Sequence, residues 1–179
     1  MSGSVHVKIA HYPVSILVER SYTHFMTEKR SVRPILVLGV GNLLIKDEGV
    51  GIHFAQSFQK RELPPDVEVM EGGARGIDLL PLFEGRKLVV IVDCARMGEK
   101  PGTMRTFSAK EIIEKRSGFS LHGASLASTL DLGQRLSSLP EVVVVGIEPE
   151  VVDLGIGLSD TVEQILEKVE KIVREIIRR

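Results

Sequence analysis

Two hydrophobic patterns alternate along this chain. Short unbroken apolar runs mark strands buried on both faces, and apolar residues returning every three or four positions mark amphipathic helices. Ile35 to Leu38 is the first run, followed at once by Gly39 and Gly41 and then by a helical pattern at Val50, Phe54 and Phe58. That helix fades near Lys60, Pro64-Pro65 breaks the pattern, and Val67 to Met70 reads as a second strand. Gly72-Gly73 and Gly76 form a turn into a short helix over Ile77 to Phe83. Lys87 to Asp93, containing Leu-Val-Val-Ile-Val, is the strongest β signal. Pro101-Gly102 leads to a weaker strand at Met104 to Phe107, and Ser108 to Glu114 opens a helical or irregular segment that Gly118 ends. A helix is expected from His122 to Leu139 with apolar positions Leu126, Leu130 and Leu136, stopped by Pro140 before the run Val142 to Val145.

The last helix has the clearest period: Val162, Ile165, Leu166, Val169, Ile172, Val173, Ile176 and Ile177. Asp160 and Glu163 are spaced as an acidic version of a capping box. Its other face, of Glu, Lys and Arg, is a solvated surface and not a nucleic-acid patch. Strands alternating with helices predict a three-layer α/β fold around a mostly parallel sheet. The first 33 residues carry only weak strand character, at His6 to Ala10 and Val14 to Val18, and no apolar core of a signal peptide. Residues 1–33 are therefore expected to be an extension outside the shared fold, with 34–179 a single α/β domain. Met26, followed by Thr-Glu-Lys-Arg, is a plausible natural start within that extension.

Composition narrows the function more than the fold. The 179 residues are 43% hydrophobic and 26% charged with a net charge of −1, an ordinary globular balance that points to neither a nucleic-acid nor a membrane-surface binder. One cysteine, Cys94, excludes an internal disulfide framework and a four-cysteine zinc site, and is compatible with a reducing cytoplasm. No apolar run approaches the roughly 18 residues of a membrane span.

The candidate chemistry gathers after the first strand, in Gly39-Val-Gly-Asn-Leu-Leu-Ile-Lys-Asp-Glu-Gly-Val-Gly51. A glycine-rich strand-to-helix turn invites a dinucleotide reading, and Glu71 stands roughly where a ribose-binding acid would. Against it, Leu44 occupies the third glycine position, and Asp47 and Glu48 bring negative charge where a pyrophosphate needs helix N–H groups. Nucleotide binding is therefore the weaker reading. Asp93 ends the third strand and His122 opens a helix, and in a parallel sheet such strand ends collect on one edge. With Glu48 they make an O,O,N set able to hold Zn²⁺, Ni²⁺ or a similar ion with coordination positions open. Each also has a plain structural alternative. Glu48 favours a helix N-terminus, Asp93 suits a turn cap, and His122 could be a helix-start histidine with a backbone contact.

The form G-V-G-N-L-L-x-x-D-E-G-V-G-I resembles the signature of the hydrogenase maturation endopeptidases, which trim the C-terminal extension of [NiFe]-hydrogenase large subunits. The resemblance continues through Glu71 to Gly76 (E-G-G-A-R-G), Val90 to Asp93, Met97 to Thr103, Ser120 to His122 and Val145 to Pro149. It implies a three-layer αβα sandwich of the phosphorylase/hydrolase-like kind, with a twisted five-stranded mixed sheet and one antiparallel strand. The weak strand after Pro101-Gly102 is the candidate for that strand, because its connection from the third strand is short.

The resemblance also implies that Glu48, Asp93 and His122 are metal-binding, and that they meet nickel already installed in the precursor. Nickel is thus the implied cofactor, supplied by the substrate, and the large-subunit precursor is the implied partner. An aspartic-type or metal-dependent endopeptidase acting in the cytoplasm is the expected activity; a non-cleaving nickel-sensing module would use the same three residues. Asp47, Gly72, Gly73 and Arg75 are candidate substrate-groove residues, with Asp47 alternatively orienting the loop. Asn42 is expected to bond the turn backbone. His53 falls about 140° round the helix from Glu48 and is set aside. Cys94 lacks a recognisable base, which disfavours a cysteine nucleophile.

Overall fold

A computed structural model describes residues 32–114, 123–136 and 139–179. The expected extension, apart from Val32 and Arg33, lies outside these residues, as do Gly118 and His122. Residues Arg33–Arg179 form one compact unit. Arg33 is already tied into it: its Nη1 donates to the Val67 carbonyl at 2.6 Å, and its own carbonyl accepts from Arg86 Nη1 at 2.6 Å.

Five strands make one sheet: β1 (Ile35–Val40), β2 (Val67–Gly73), β3 (Leu88–Cys94), β4 (Met104–Ser108) and β5 (Glu141–Ile147). Their order is β2-β1-β3-β5-β4, and β4 alone runs antiparallel, against β5. The weak strand is thus the antiparallel edge, as expected, and the mixed αβα sheet is the observed architecture. The helices are α1 (Val50–Phe58), α2 (Ala109–Glu114), α3 (Gly123–Arg135), α4 (Asp160–Glu163) and α5 (Leu166–Ile177). A 3-10 turn at Lys46–Gly49 precedes α1, and a 3-10 segment at Gly76–Phe83 stands in place of the expected short helix, with Pro81 inside it.

Alternation along the strands sorts the core into two layers. Val37, Val90, Val92, Val145 and Ile147 face α1, α4 and α5 with Phe54, Phe58, Val169, Val173 and Ile176. Leu36, Leu38, Val89, Ile91, Val142 and Val144 face the other way, onto Leu79, Phe83, Ile112, Leu126 and Leu130. Each fully buried side chain of this size contributes roughly 1.5–3 kcal/mol, so the two faces explain why the strands read as unbroken apolar runs.

Three local expectations change. Leu136 is 63% exposed, because α3 ends at Arg135 and the residue falls in the turn beyond. The C-terminal helix begins on Ser159, whose Oγ accepts the Val162 N–H at 3.4 Å, so serine and not Asp160 is the cap. That helix is also interrupted: Ile165 N–H bonds Val162 C=O, a tightened i to i−3 turn between α4 and α5.

Candidate functional site at the carboxyl edge of the sheet

The site begins with a close approach of backbone to backbone. A Cβ on Gly39 would collide with the Gly51 carbonyl, and one on Gly51 with the carbonyls of Val92 and Val40. The first turn of α1 therefore rests directly on β1 and β3, which no residue but glycine permits. Asn42 closes the intervening loop as an Asx turn, its Oδ1 accepting the Leu44 N–H at 3.0 Å, which is the structural part expected of it. The result presses the Lys46–Gly49 turn against the strand ends and buries both Asp47 and Glu48.

Asp47 is used up by the protein itself. Its carboxylate accepts the N–H groups of Glu150 (2.9 Å), Val151 (2.8 Å) and Ser159 (2.7 Å) and the Ser159 hydroxyl (2.8 Å). Lys46 N–H to Gly155 C=O and Gly155 N–H to Leu44 C=O add a main-chain stitch between the same two loops. Glu148, a residue to which the sequence reading attached no role, does the same for the loop after β3. It is 7% exposed and accepts the N–H groups of Met97 (2.6 Å) and Glu99 (3.1 Å). The only sequence signal for it is an acid directly after a buried strand, the same signal that singled out Asp93.

Glu48 and Asp93 differ. Both are buried, at 2% and 3% exposure, on neighbouring parts of the edge. Asp93 Oδ1 has no hydrogen-bond donor among the described residues. Burial raises the Asp93 carboxyl to about 8; the Cys94 N–H opposes this, and the Glu48 charge adds to it. His122, the third member of the expected set, lies outside the described residues, and no three described His, Cys, Asp or Glu side chains are grouped to hold a metal ion. His53 Nε2 is buried without a partner among the described residues. Cys94 is 2% exposed, and burial followed by the charges of Asp93, Glu48 and Asp47 pushes its thiol up, which suppresses the thiolate a cysteine nucleophile needs.

Gly72, Gly73 and Arg75 sit at and just beyond the carboxyl end of β2, one strand removed from Asp93. Gly72 is buried against Leu38 and Leu79, Gly73 has φ +60 with open space where a Cβ would stand, and Arg75 is exposed. Two clefts of about 560 and 260 Å³ lie elsewhere, beside β4 with α5 and at the amino ends of β1 and β3. Two acids buried ahead of α1 make its N-terminus a poor cradle for a pyrophosphate. What the edge suits is a cation or a group carrying one: a buried carboxylate oxygen that no described residue donates to, beside a second buried carboxylate.

Comparison with known proteins identifies the family. The family model HycI, described as hydrogenase maturation protease, matches residues 52–177. The Hydrogenase 2 maturation protease of Escherichia coli (strain K12) is 36% identical over 138 residues, spanning 74% of this chain and 84% of that protein. A putative hydrogenase maturation protease of Methanocaldococcus jannaschii is 32% identical over 148 residues, covering 79% and 94%. Among solved structures, the hydrogenase maturating endopeptidase HybD from E. coli is similar with a TM-score of 0.73 at 34% identity, covering 80% of this chain and 91% of that one.

Proposed function

The chain belongs to the hydrogenase maturation protease family, and from that premise we propose that it removes the C-terminal extension of a [NiFe]-hydrogenase large-subunit precursor after nickel insertion. The observation that carries the finer reading is the pairing of Asp93 Oδ1, buried without a donor among the described residues, with the buried Glu48 carboxylate. Such a pair is costly in a protein interior until a cation arrives. In this reading Glu48 and Asp93, with His122, meet the nickel of the incoming precursor, so an unloaded precursor finds an edge that rejects it.

Bound there, the metal supplies Lewis-acid polarisation of the scissile carbonyl or activation of a water. The chain's own part is placement. Asp47 and Glu148 hold three loops so that Glu48 and Asp93 stand at fixed positions, and the raised Asp93 carboxyl is suited to hold a proton at neutral pH until the cation displaces it. The catalytic class that fits is metal-dependent with carboxylate help, since Cys94 is suppressed as a nucleophile.

The test mixes the purified chain with nickel-loaded and nickel-free precursor and follows precursor length by mass spectrometry. Shortening of the loaded form alone is expected. Equal shortening of both forms would remove nickel from the reading, and capture of loaded precursor without shortening would leave a nickel-sensing module.

A further inference from the structure

Among the described residues, the free edge of β2 is largely closed along its first half and open beside the site. The ladder with β1 settles which way each residue faces. Ile35 N–H bonds Asp66 C=O at 3.1 Å, and pairing runs unshifted from Ile35 with Val67 to Gly39 with Glu71. Alternation then turns the main-chain groups of Val67, Val69 and Glu71 away from β1. On that outer side the Val67 N–H bonds Pro64 C=O at 3.1 Å, and the Val67 carbonyl accepts Arg33 Nη1 at 2.6 Å. The Val69 carbonyl accepts Gln59 Nε2 at 3.0 Å. Side chains from before β1 and from the end of α1 thus cap a strand edge that would otherwise template another strand. The capping stops at Glu71. Its N–H and C=O face outward, the residue is exposed, and among the described residues neither group has a protein partner.

We infer that this open rung receives an extended stretch of the precursor's C-terminal region, which adds to β2 as a short sixth strand on its way to Glu48 and Asp93. A main-chain donor and acceptor at strand spacing are complemented by an extended peptide, and by little else. The rung lies at the carboxyl end, so a chain paired there leaves the sheet over Gly72-Gly73, where Gly73 has no atom within 4 Å of its missing Cβ. An added strand stands three strand spacings from β3, roughly 14 Å, which about four or five extended residues span. The paired stretch is therefore expected about that many residues from the scissile bond. The occupant rests on the maturation-protease reading above; the open rung does not.

Hydrogen–deuterium exchange on the full chain, with and without nickel-loaded precursor, reads the contact directly. The Glu71 amide should slow at least tenfold in the complex, while the Glu68 and Met70 amides, already inside the ladder, should not change. No slowing at Glu71 overturns the inference. So does slowing that grows with protein concentration in the absence of precursor, which would assign the edge to a second copy of the chain. Glu71→Pro removes the outward N–H and spares the ladder. It should raise KM for the precursor about tenfold with kcat within about threefold, the loss expected for one or two main-chain hydrogen bonds. Glu71→Ala removes the same side chain but keeps the N–H, so its KM must rise several-fold less; equal effects place the contact on the carboxylate and overturn strand addition. A wild-type chain that leaves loaded precursor uncut sinks the protease reading instead, whatever happens at Glu71.

Discussion

Four carboxylates crowd the carboxyl edge of this sheet, and they divide into two kinds. Asp47 takes four hydrogen bonds and Glu148 two, all within the protein, from residues of loops on the same edge. Asp93 keeps an oxygen without a donor among the described residues and sits beside Glu48, both out of water. Burial alone does not separate them, since all four side chains are buried. Satisfaction separates Asp93 from the two clamps. A buried acid given its full set of donors works as a clamp, and one left short of donors in the same kind of place stores an unmet demand for positive charge. The clamps make Asp93 possible, because an unsatisfied carboxylate stays where it is only if the backbone around it cannot relax.

The largest break of this contrast should come from Asp93→Asn and Glu48→Gln. Each keeps shape and removes a carboxylate that could meet a cation, and each is expected to lower kcat/KM for loaded precursor by about a hundredfold to a thousandfold, or roughly 3–4 kcal/mol. Far-ultraviolet circular dichroism should remain that of the wild type. Loss of fold along with activity would mean these acids are clamps after all.

Asp47→Ala should act in the opposite sense. Stripping four hydrogen bonds leaves three part-buried N–H groups without their acceptor, so stability should fall by about 3–5 kcal/mol in urea titration. At about 2–4 °C per kcal/mol the melting temperature drops accordingly. A melting temperature within about 2 °C of wild type would remove Asp47 from its clamping role.

The pH dependence of Asp93 sharpens the comparison further. Its carboxyl stands at about 8 in the fold against an ordinary 3.8. The folded state therefore holds the proton more tightly than the unfolded chain. The stability tied to that proton is complete below about 3.8 and is lost as pH rises through 8. In chelator-treated protein the melting temperature of Asp93→Asn should rise above that of the wild type by a margin that widens between these pH values and then levels. The ceiling is roughly 1.4 kcal/mol per pH unit across that window. A constant margin would place the carboxyl in the ordinary range.

Glu148→Gln should be the mildest. Both N–H groups converge on one oxygen, Oε2, whose place the amide oxygen can take, so only the charge assistance is lost and a loss of about 1–2 kcal/mol is expected. Added proteolytic sensitivity should be confined to the 95–103 loop, and cleavage spread evenly over the chain would count against that loop being its charge.

Much of this edge is written locally. The β1 run, the glycines after it and the acid pair before α1 lie within 17 consecutive residues, so neighbouring positions alone predict strand, tight turn and helix. Asp93 is found the same way, as the acid closing the strongest strand, and once the family resemblance implies one antiparallel strand, the weak strand on a short connection is the one it falls on. Even the two-layer core is implicit in apolar runs that leave no polar face. The local signal misleads where it is short. Asp160 and Glu163 mimic a capping box one residue past the true cap, Ser159, and the period of the last helix runs straight through the tightened turn at Ile165.

The sequence by itself therefore determined the elements, their order, a mostly parallel sheet and three of the four acids at its edge, because strand and helix periods and glycine sterics act over a few residues. Only the folded chain decided what each acid does there. Asp47 meets its donors 103, 104 and 112 residues further on, and Glu148 meets its own 51 and 49 residues back. Gly39 and Gly51 acquire their purpose only when a helix is laid on a strand. Hydrogen-bond satisfaction is a property of the packed state, and no run of neighbours along the chain records which carboxylate will be left wanting.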